Sequence, residues 1–278
     1  MKLIRMVALL LFFLLPGIVN ADVITQKSLN GLMELSGINK QIAEFPGLLV
    51  MGLEQAKQQN PGIPEPLYDD LKQVMIESFT VRSFLTIISK KIKNTVTEKE
   101  AKEMLKWYKS NLGIKITKAE EAATKPAAYQ EMTSKAQSLL ADKQRVALSK
   151  KMDRLVGGTE MSIQLQENMA LSIFTAISSA MAPGKPVNTA AFKKHMEPQM
   201  KQLKATLKQN VIISGVYSYK NVDINSINTY ISFLEKQSYA NFNKCIMQGI
   251  ITAFNTGIKK MSKSLAETVK KTANKDKV

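Results

Sequence analysis

A helix-start signal near the middle of the chain constrains the fold more than any other feature. Thr97 is followed three residues later by Glu100, a capping box in which each side chain satisfies a backbone N–H that a helix start leaves unpaired. Beyond it Ala101, Met104, Leu105, Tyr108 and Leu112 recur at spacings of three and four, with Lys99, Lys102, Glu103, Lys106 and Lys109 between them. An α-helix gathers the first set on one face and turns the second to water. Gly113, just past the stripe, is expected to stop this helix. The same spacing recurs along most of the chain. Val211 to Tyr219 can be read as a strand or as a buried helix, and the helix is preferred because no second strand is available to pair with it. The expected class is all-α, a helical bundle.

Punctuation divides this helical pattern. Ser36-Gly37 interrupts the first helix, and Pro46-Gly47 is expected to kink or divide the second. Asn60 to Pro66 reads as a turn-rich loop. A helix over Leu67 to Phe79 follows, with Asp69 and Asp70 expected in its first turn, where the helix dipole favours acids. Val81 to Lys93 supplies another apolar face. From Lys118 to about Val156 the chain is rich in Ala, Gln and Lys, with Pro126 suited to a first helical turn. One or two long helices are expected there. Gly157-Gly158 ends that stretch, Thr159-Glu160 opens an apolar helix, and Ala182 to Pro186 forms a loop.

An internal repeat is visible in these elements. Val222-Asp223 stands to the helix after it as Val96-Thr97 stands to the central one, and Tyr230, Ile231, Phe233 and Leu234 fall where Met104, Leu105, Trp107 and Tyr108 fell, an offset of 126. Leu155-Val156-Gly157 likewise echoes Leu35-Ser36-Gly37 at an offset of 120. In the second copy Tyr239-Ala240-Asn241 replaces Gly113-Ile114-Lys115. The expected organisation is a leader over residues 1–21, a first helical repeat over 22–124, a long helical connector over 125–156, a second repeat over 157–258 and a lysine-rich tail over 259–278.

Met1 to Ala21 has the form of a cleavable secretory signal: Lys2 and Arg5, an apolar run from Met6 to Leu15, Pro16-Gly17, and Val19-Asn20-Ala21 before the cut. Ten apolar residues ended by Pro-Gly fall short of the roughly 20 that a spanning helix needs. The mature chain is expected to begin at Asp22, in the periplasm or outside the cell. The whole chain carries 35 Lys, 4 Arg and a formal charge of +16. Lysine is a diffuse point charge, whereas arginine reads phosphates and base edges bidentately. This balance fits contact with an anionic membrane surface or envelope component and argues against specific nucleic-acid recognition. Lys259, Lys260, Lys263, Lys270 and Lys271 concentrate it at the C-terminal end as candidate membrane contacts.

Motifs of catalysis are missing from the sequence. His195 is the single histidine and Cys245 the single cysteine, fifty residues apart, with no sign of pairing. Gly184-Lys185 is followed by Pro186 where a phosphate-binding loop needs Ser or Thr. Glu98, Glu100, Glu120 and Glu121 read as capping or solvated carboxylates near helix ends. No metal, cofactor or catalytic residue is assigned, and no enzymatic activity is expected.

Trp107-Tyr108-Lys109-Ser110-Asn111-Leu112-Gly113-Ile114-Lys115, preceded by Thr97-Glu98-Lys99-Glu100, resembles the signature of a family of bacterial exported helical proteins classed as a domain of unknown function. That signature runs aromatic-Tyr-x-Ser-x-x-Gly-x-Lys, with Phe commoner at the position of Trp107 and Pro common at that of Asn111. The resemblance implies an all-helical periplasmic or secreted protein without established enzymatic activity, and it supplies no catalytic residues. Within the motif Trp107, Tyr108, Ser110 and Lys115 form the candidate ligand site, an aromatic groove with polar groups for a head group. Two functions follow as expectations: a non-enzymatic binding or structural role in the bacterial envelope, or a carrier holding a lipid or other amphiphile in an apolar cavity between helices. The 15 methionines suit the adaptable surface such a hydrophobic ligand needs.

Overall fold

The computed structural model describes residues 22–59, 65–181 and 185–275. The expected signal over Met1 to Ala21 and most of the Asn60 to Pro66 loop lie outside the described residues. Everything described is helix or short connection; the one β feature is an isolated bridge between Val23 and Thr97.

Two short helices, α1 (Gln26–Leu35) and α5 (Glu98–Tyr108), pack on each other and frame the first part of the chain. Between them run α2 (Ile38–Gln59), α3 (Glu65–Ser78) and α4 (Val81–Thr95). Gly37, with φ 78°, turns α1 into α2 through the left-handed region, which a residue without Cβ enters at little cost. Pro46 is carried inside a continuous α2; Phe45 and Leu49, on either side, pack against the core and hold the helix across the missing N–H. Because α3 begins at Glu65, Asp69 and Asp70 fall beyond its first turn, and Glu65 takes the dipole-favoured place instead.

The capping box forms as its spacing requires: the Thr97 hydroxyl accepts from Glu100 N at 3.2 Å and the Glu100 carboxylate accepts from Thr97 N at 2.9 Å. The single helix expected through Leu112 does not. α5 ends at Tyr108, and α6 (Asn111–Ala123) begins afresh with Ser110 as N-cap, its hydroxyl accepting from Gly113 N at 3.0 Å and donating to Trp107 O at 2.6 Å. Gly113 is therefore a close-approach residue in the first turn of α6 and not a stop. A Cβ there would lie 2.2 Å from Trp107 O.

The Ala- and Lys-rich stretch forms three helices, α7 (Pro126–Ser134), α8 (Ala136–Ala141) and α9 (Lys143–Val156), with Pro126 in the first turn of α7. α9 packs on α12 (Ile224–Leu234) as α1 packs on α5, and Gly157, with φ 79°, turns it into α10 (Gly158–Met181). α11 (Thr189–Ser218) and α13 (Gln237–Lys275) complete the fold. Val211 to Ser218 is helical. The bounds of α12 are those of α5 displaced by 126 residues, and α13 begins 126 residues after α6. The two sets interlock: α13 lies along α4 and α10, while α6 packs against α11 and α12. One core cluster joins Leu29, Phe84, Ile88 and Met104 to Ile231, Phe233, Phe242 and Phe254. At 3% exposure Cys245 is part of it, and burial raises its thiol pKa, so it behaves as a small hydrophobe.

Candidate functional site

Helix α6 carries a carboxylate on the face that should be apolar. Leu112, Ile116 and Glu120 stand four apart, so once Ser110 has reset the helix, Glu120 follows Ile116 inward. The expectation of a solvated glutamate is corrected by this packing. Glu120 borders a chamber of about 290 Å³ between the helices, and protein surrounds it even though part of its surface stays open to that chamber.

Two tyrosines from the far end of the sequence meet this carboxylate. Tyr219, the residue that closes α11, and Tyr230 of α12 both donate to Glu120 Oε1, at 2.6 and 2.7 Å. Oε2 accepts no hydrogen bond among the described residues. Tyr108 and Tyr239 also line the chamber, 7% and 8% exposed. So does Ser36, whose buried Oγ has no hydrogen-bond partner among the described residues. An unpaired buried hydroxyl is expensive, so a polar molecule in the chamber would relieve it.

Burial raises the pKa of Glu120 and neighbouring Glu121 raises it further, against the two phenol hydrogen bonds, which lower it. The phenols shift the same way. Burial pushes Tyr108, Tyr219 and Tyr230 well above their ordinary value; the charge of Glu120 comes next for Tyr219 and Tyr230, and Tyr239 and then Glu120 add to it for Tyr108. All three are neutral hydroxyls at physiological pH. Among the described residues no lysine, arginine or histidine borders the chamber, and Glu120 is the one charged group there when ionised.

A larger hollow of about 570 Å³ adjoins it, bordered by apolar Leu48, Met132, Leu207, Val211 and Ile213, with Lys125 among its polar neighbours. It shares Ala123, Thr124 and Ser214 with the chamber. A third hollow, about 860 Å³ between α10 and α11, has Phe192, Met196 and Met200 rimmed by lysines. Its polar residues are exposed surface groups such as Lys204, which pairs with Glu167 at 2.8 Å.

Of the four motif residues proposed from the sequence, Tyr108 reaches the chamber. Trp107 lies behind it, stacked on Phe233 at 4.6 Å and on Tyr230 at 5.9 Å. Ser110 is spent on capping α6, and Lys115 faces solvent, 3.8 Å from Asp223, the N-cap of α12. Glu120, Tyr230, Tyr239 and Ser36 were not singled out as site residues. The four-residue step from Ile116 to Glu120 was the available signal, and it was masked by reading residues 96 to 112 as one helix. Lys259, Lys260 and Lys263 are exposed on α13. Lys260 donates to Glu77 O at 2.6 Å, where it caps the end of α3. The side chains of Lys270 and Lys271 lie outside the described part. Among the described residues no group of three His, Cys, Asp or Glu is placed to hold a metal, and no helix is long and apolar enough to cross a membrane.

Residues 87–142 match the model of a bacterial family described as "Uncharacterized protein conserved in bacteria (DUF2059)". That span includes Tyr108 and Glu120 but neither Ser36 nor the three tyrosines contributed by α11, α12 and α13. No curated protein and no solved structure matches the chain.

Proposed function

We propose that the protein is a non-enzymatic, exported binding protein of the bacterial envelope that carries a small amphiphile between its helices, polar end in the Glu120 chamber and apolar end in the adjoining hollow. The observation that carries this reading is the adjacency of the two spaces: a polar chamber with an unpaired buried hydroxyl shares Ala123, Thr124 and Ser214 with a hollow bordered by aliphatic side chains. Binding sites are concave and mostly apolar, with a few convergent polar groups that fix orientation. The site's chemistry is hydrogen bonding to one carboxyl and its phenols, which suits retention better than bond cleavage.

Export is supported by the Met1 to Ala21 pattern. Two related halves are supported by the shared offset of α5 and α12 and by the two left-handed glycines, Gly37 and Gly157. Loading or release at an anionic membrane surface is supported by exposed Lys259 and Lys263.

Native mass spectrometry of protein taken from the periplasm tests the carrier reading. A co-purifying mass, or 1:1 retention of an added dodecyl-chain amphiphile that Leu207→Trp abolishes by filling the hollow, is the expected result. A clean ligand-free mass together with no retention of any dodecyl probe overturns it.

A further inference from the structure

We infer that the polar end accepted by the chamber is an organic ammonium group, held by Glu120 Oε2 and the oxygens around it. This rests on the carrier reading for the ligand's tail but stands on its own observations for the head. The first is the balance of hydrogen-bonding groups. Tyr219 and Tyr230 have both spent their protons on Glu120 Oε1, so what Tyr230, which lines the chamber, still offers a ligand is lone pairs. Glu120 Oε2 offers only lone pairs when ionised, and Ser36 Oγ, which can accept as well as donate, has no partner among the described residues. An alkylammonium brings up to three donors to such a set, whereas a carboxylate or phosphate brings none.

Charge is the second observation. The chamber's ionised carboxylate has no cation beside it among the lining residues, and a buried charge is tolerated when it is paired. Among the described residues no Lys or Arg lines the chamber, and Lys125 stops at the edge of the outer hollow. An anionic head would meet Glu120 as a like charge with no counterion. The rings of Tyr108, Tyr230 and Tyr239 border the same space, and aromatic surface around a carboxylate is the setting in which cations bind well. Size is the third. A volume of about 290 Å³ is at the small end for a ligand pocket; it admits a head group and leaves the alkyl chain for the hollow beyond Ala123 and Ser214.

The experiment is isothermal titration of the full mature protein with four probes below their micellar concentrations: dodecylammonium, dodecanol, dodecanoate and propylammonium. The wild type is expected to bind dodecylammonium at least tenfold more tightly than dodecanoate. Glu120→Gln is expected to lose at least tenfold in dodecylammonium affinity and far less in dodecanol affinity. Should E120Q fail to fold by circular dichroism, Ser36→Ala supplies the second variant, with a loss of a few-fold confined to dodecylammonium. Equal binding of dodecanoate, or unchanged dodecylammonium binding in the variants, overturns the ammonium assignment. If dodecanol still binds in that case, the carrier reading survives without it. Conversely, propylammonium that binds in a Glu120-dependent way while no dodecyl probe binds supports the ammonium head and removes the carrier.

Discussion

The hairpin formed by α5 and α6 and the one formed by α12 and the start of α13 begin their helices 126 residues apart, yet they bring opposite chemistry to the place where they meet. Trp107 and Phe233 occupy equivalent positions and stack face to face, 8° from parallel. Around that shared contact the polar residues are unevenly distributed. Glu98, Tyr108 and Glu120 of the first hairpin correspond to Ile224, Leu234 and Ile246 of the second; Tyr230 and Tyr239 of the second correspond to Met104 and Gly113 of the first. Each polar group thus has a partner without a polar side chain. The backbone path is indifferent to the chemistry, and the chamber is polar because the two hairpins place their polar residues at different turns.

The junctions differ for a related reason. Between α5 and α6 the Ser110 hydroxyl bonds both ends of the turn, drawing Gly113 under Trp107 O so closely that no Cβ fits. The second hairpin keeps the matching backbone bond, Lys236 N donating to Phe233 O at 3.1 Å where Ser110 N donates to Trp107 O at 2.8 Å, but Lys236 has no hydroxyl to add to it, and Tyr239 finds room for a whole side chain. The Ser110 cap leaves no room for a side chain at position 113, so only the second hairpin gives a tyrosine to the chamber from this position.

The comparison can be broken first at its shared contact. Phe233 is 3% exposed whereas Trp107 is half-buried, so Phe233→Ala should cost about 4 kcal/mol and Trp107→Ala about 2 kcal/mol in urea unfolding. Equal losses would show that the stack is symmetric in energy as well as in position. An effect between those two is expected at the first junction: Gly113→Ala should cost about 2–3 kcal/mol through overpacking against Trp107 O. An unchanged urea midpoint would mean that the first junction can relax into the geometry of the second.

The pH dependence separates two acids of the first hairpin and gives the finest test. Glu98, 6% exposed, accepts from Thr25 N at 2.8 Å and Ser28 Oγ at 2.8 Å, and the backbone bond from Thr25 chiefly holds its pKa below the usual 4.5. Its contribution to stability is full above about pH 4.5 and is lost as pH falls through the folded value. Glu120 has the opposite sign. Its folded value is raised by burial from 4.5, so its contribution is full below that pH and is lost as pH rises through the folded value. Urea midpoints from pH 3 to 8 should show Glu98→Gln flattening the acid limb and Glu120→Gln flattening the limb above pH 4.5. Identical slopes in wild type and E120Q would place Glu120 in water.

Much of the helical scaffold was legible before any coordinates. Thr97 and Glu100 announce a helix start, Gly157 a stop, Pro126 a first turn, and the echo between residues 97 and 223 foreshadows two helices with matching bounds. The chamber was not legible in the same way. Reading through Ser110 kept one helical phase over residues that belong to two, which promoted Ser110 to a ligand contact, made Gly113 a stop and left Glu120 in solvent.

Capping, glycine and three-to-four spacing act within a turn or two of helix, so the sequence by itself determined the helical class and many of the helix ends. What only the tertiary structure decided is which helices face one another. Glu120 finds Tyr219 and Tyr230 across 99 and 110 residues, and such a meeting depends on how whole helices pack around a common core, which no local pattern encodes.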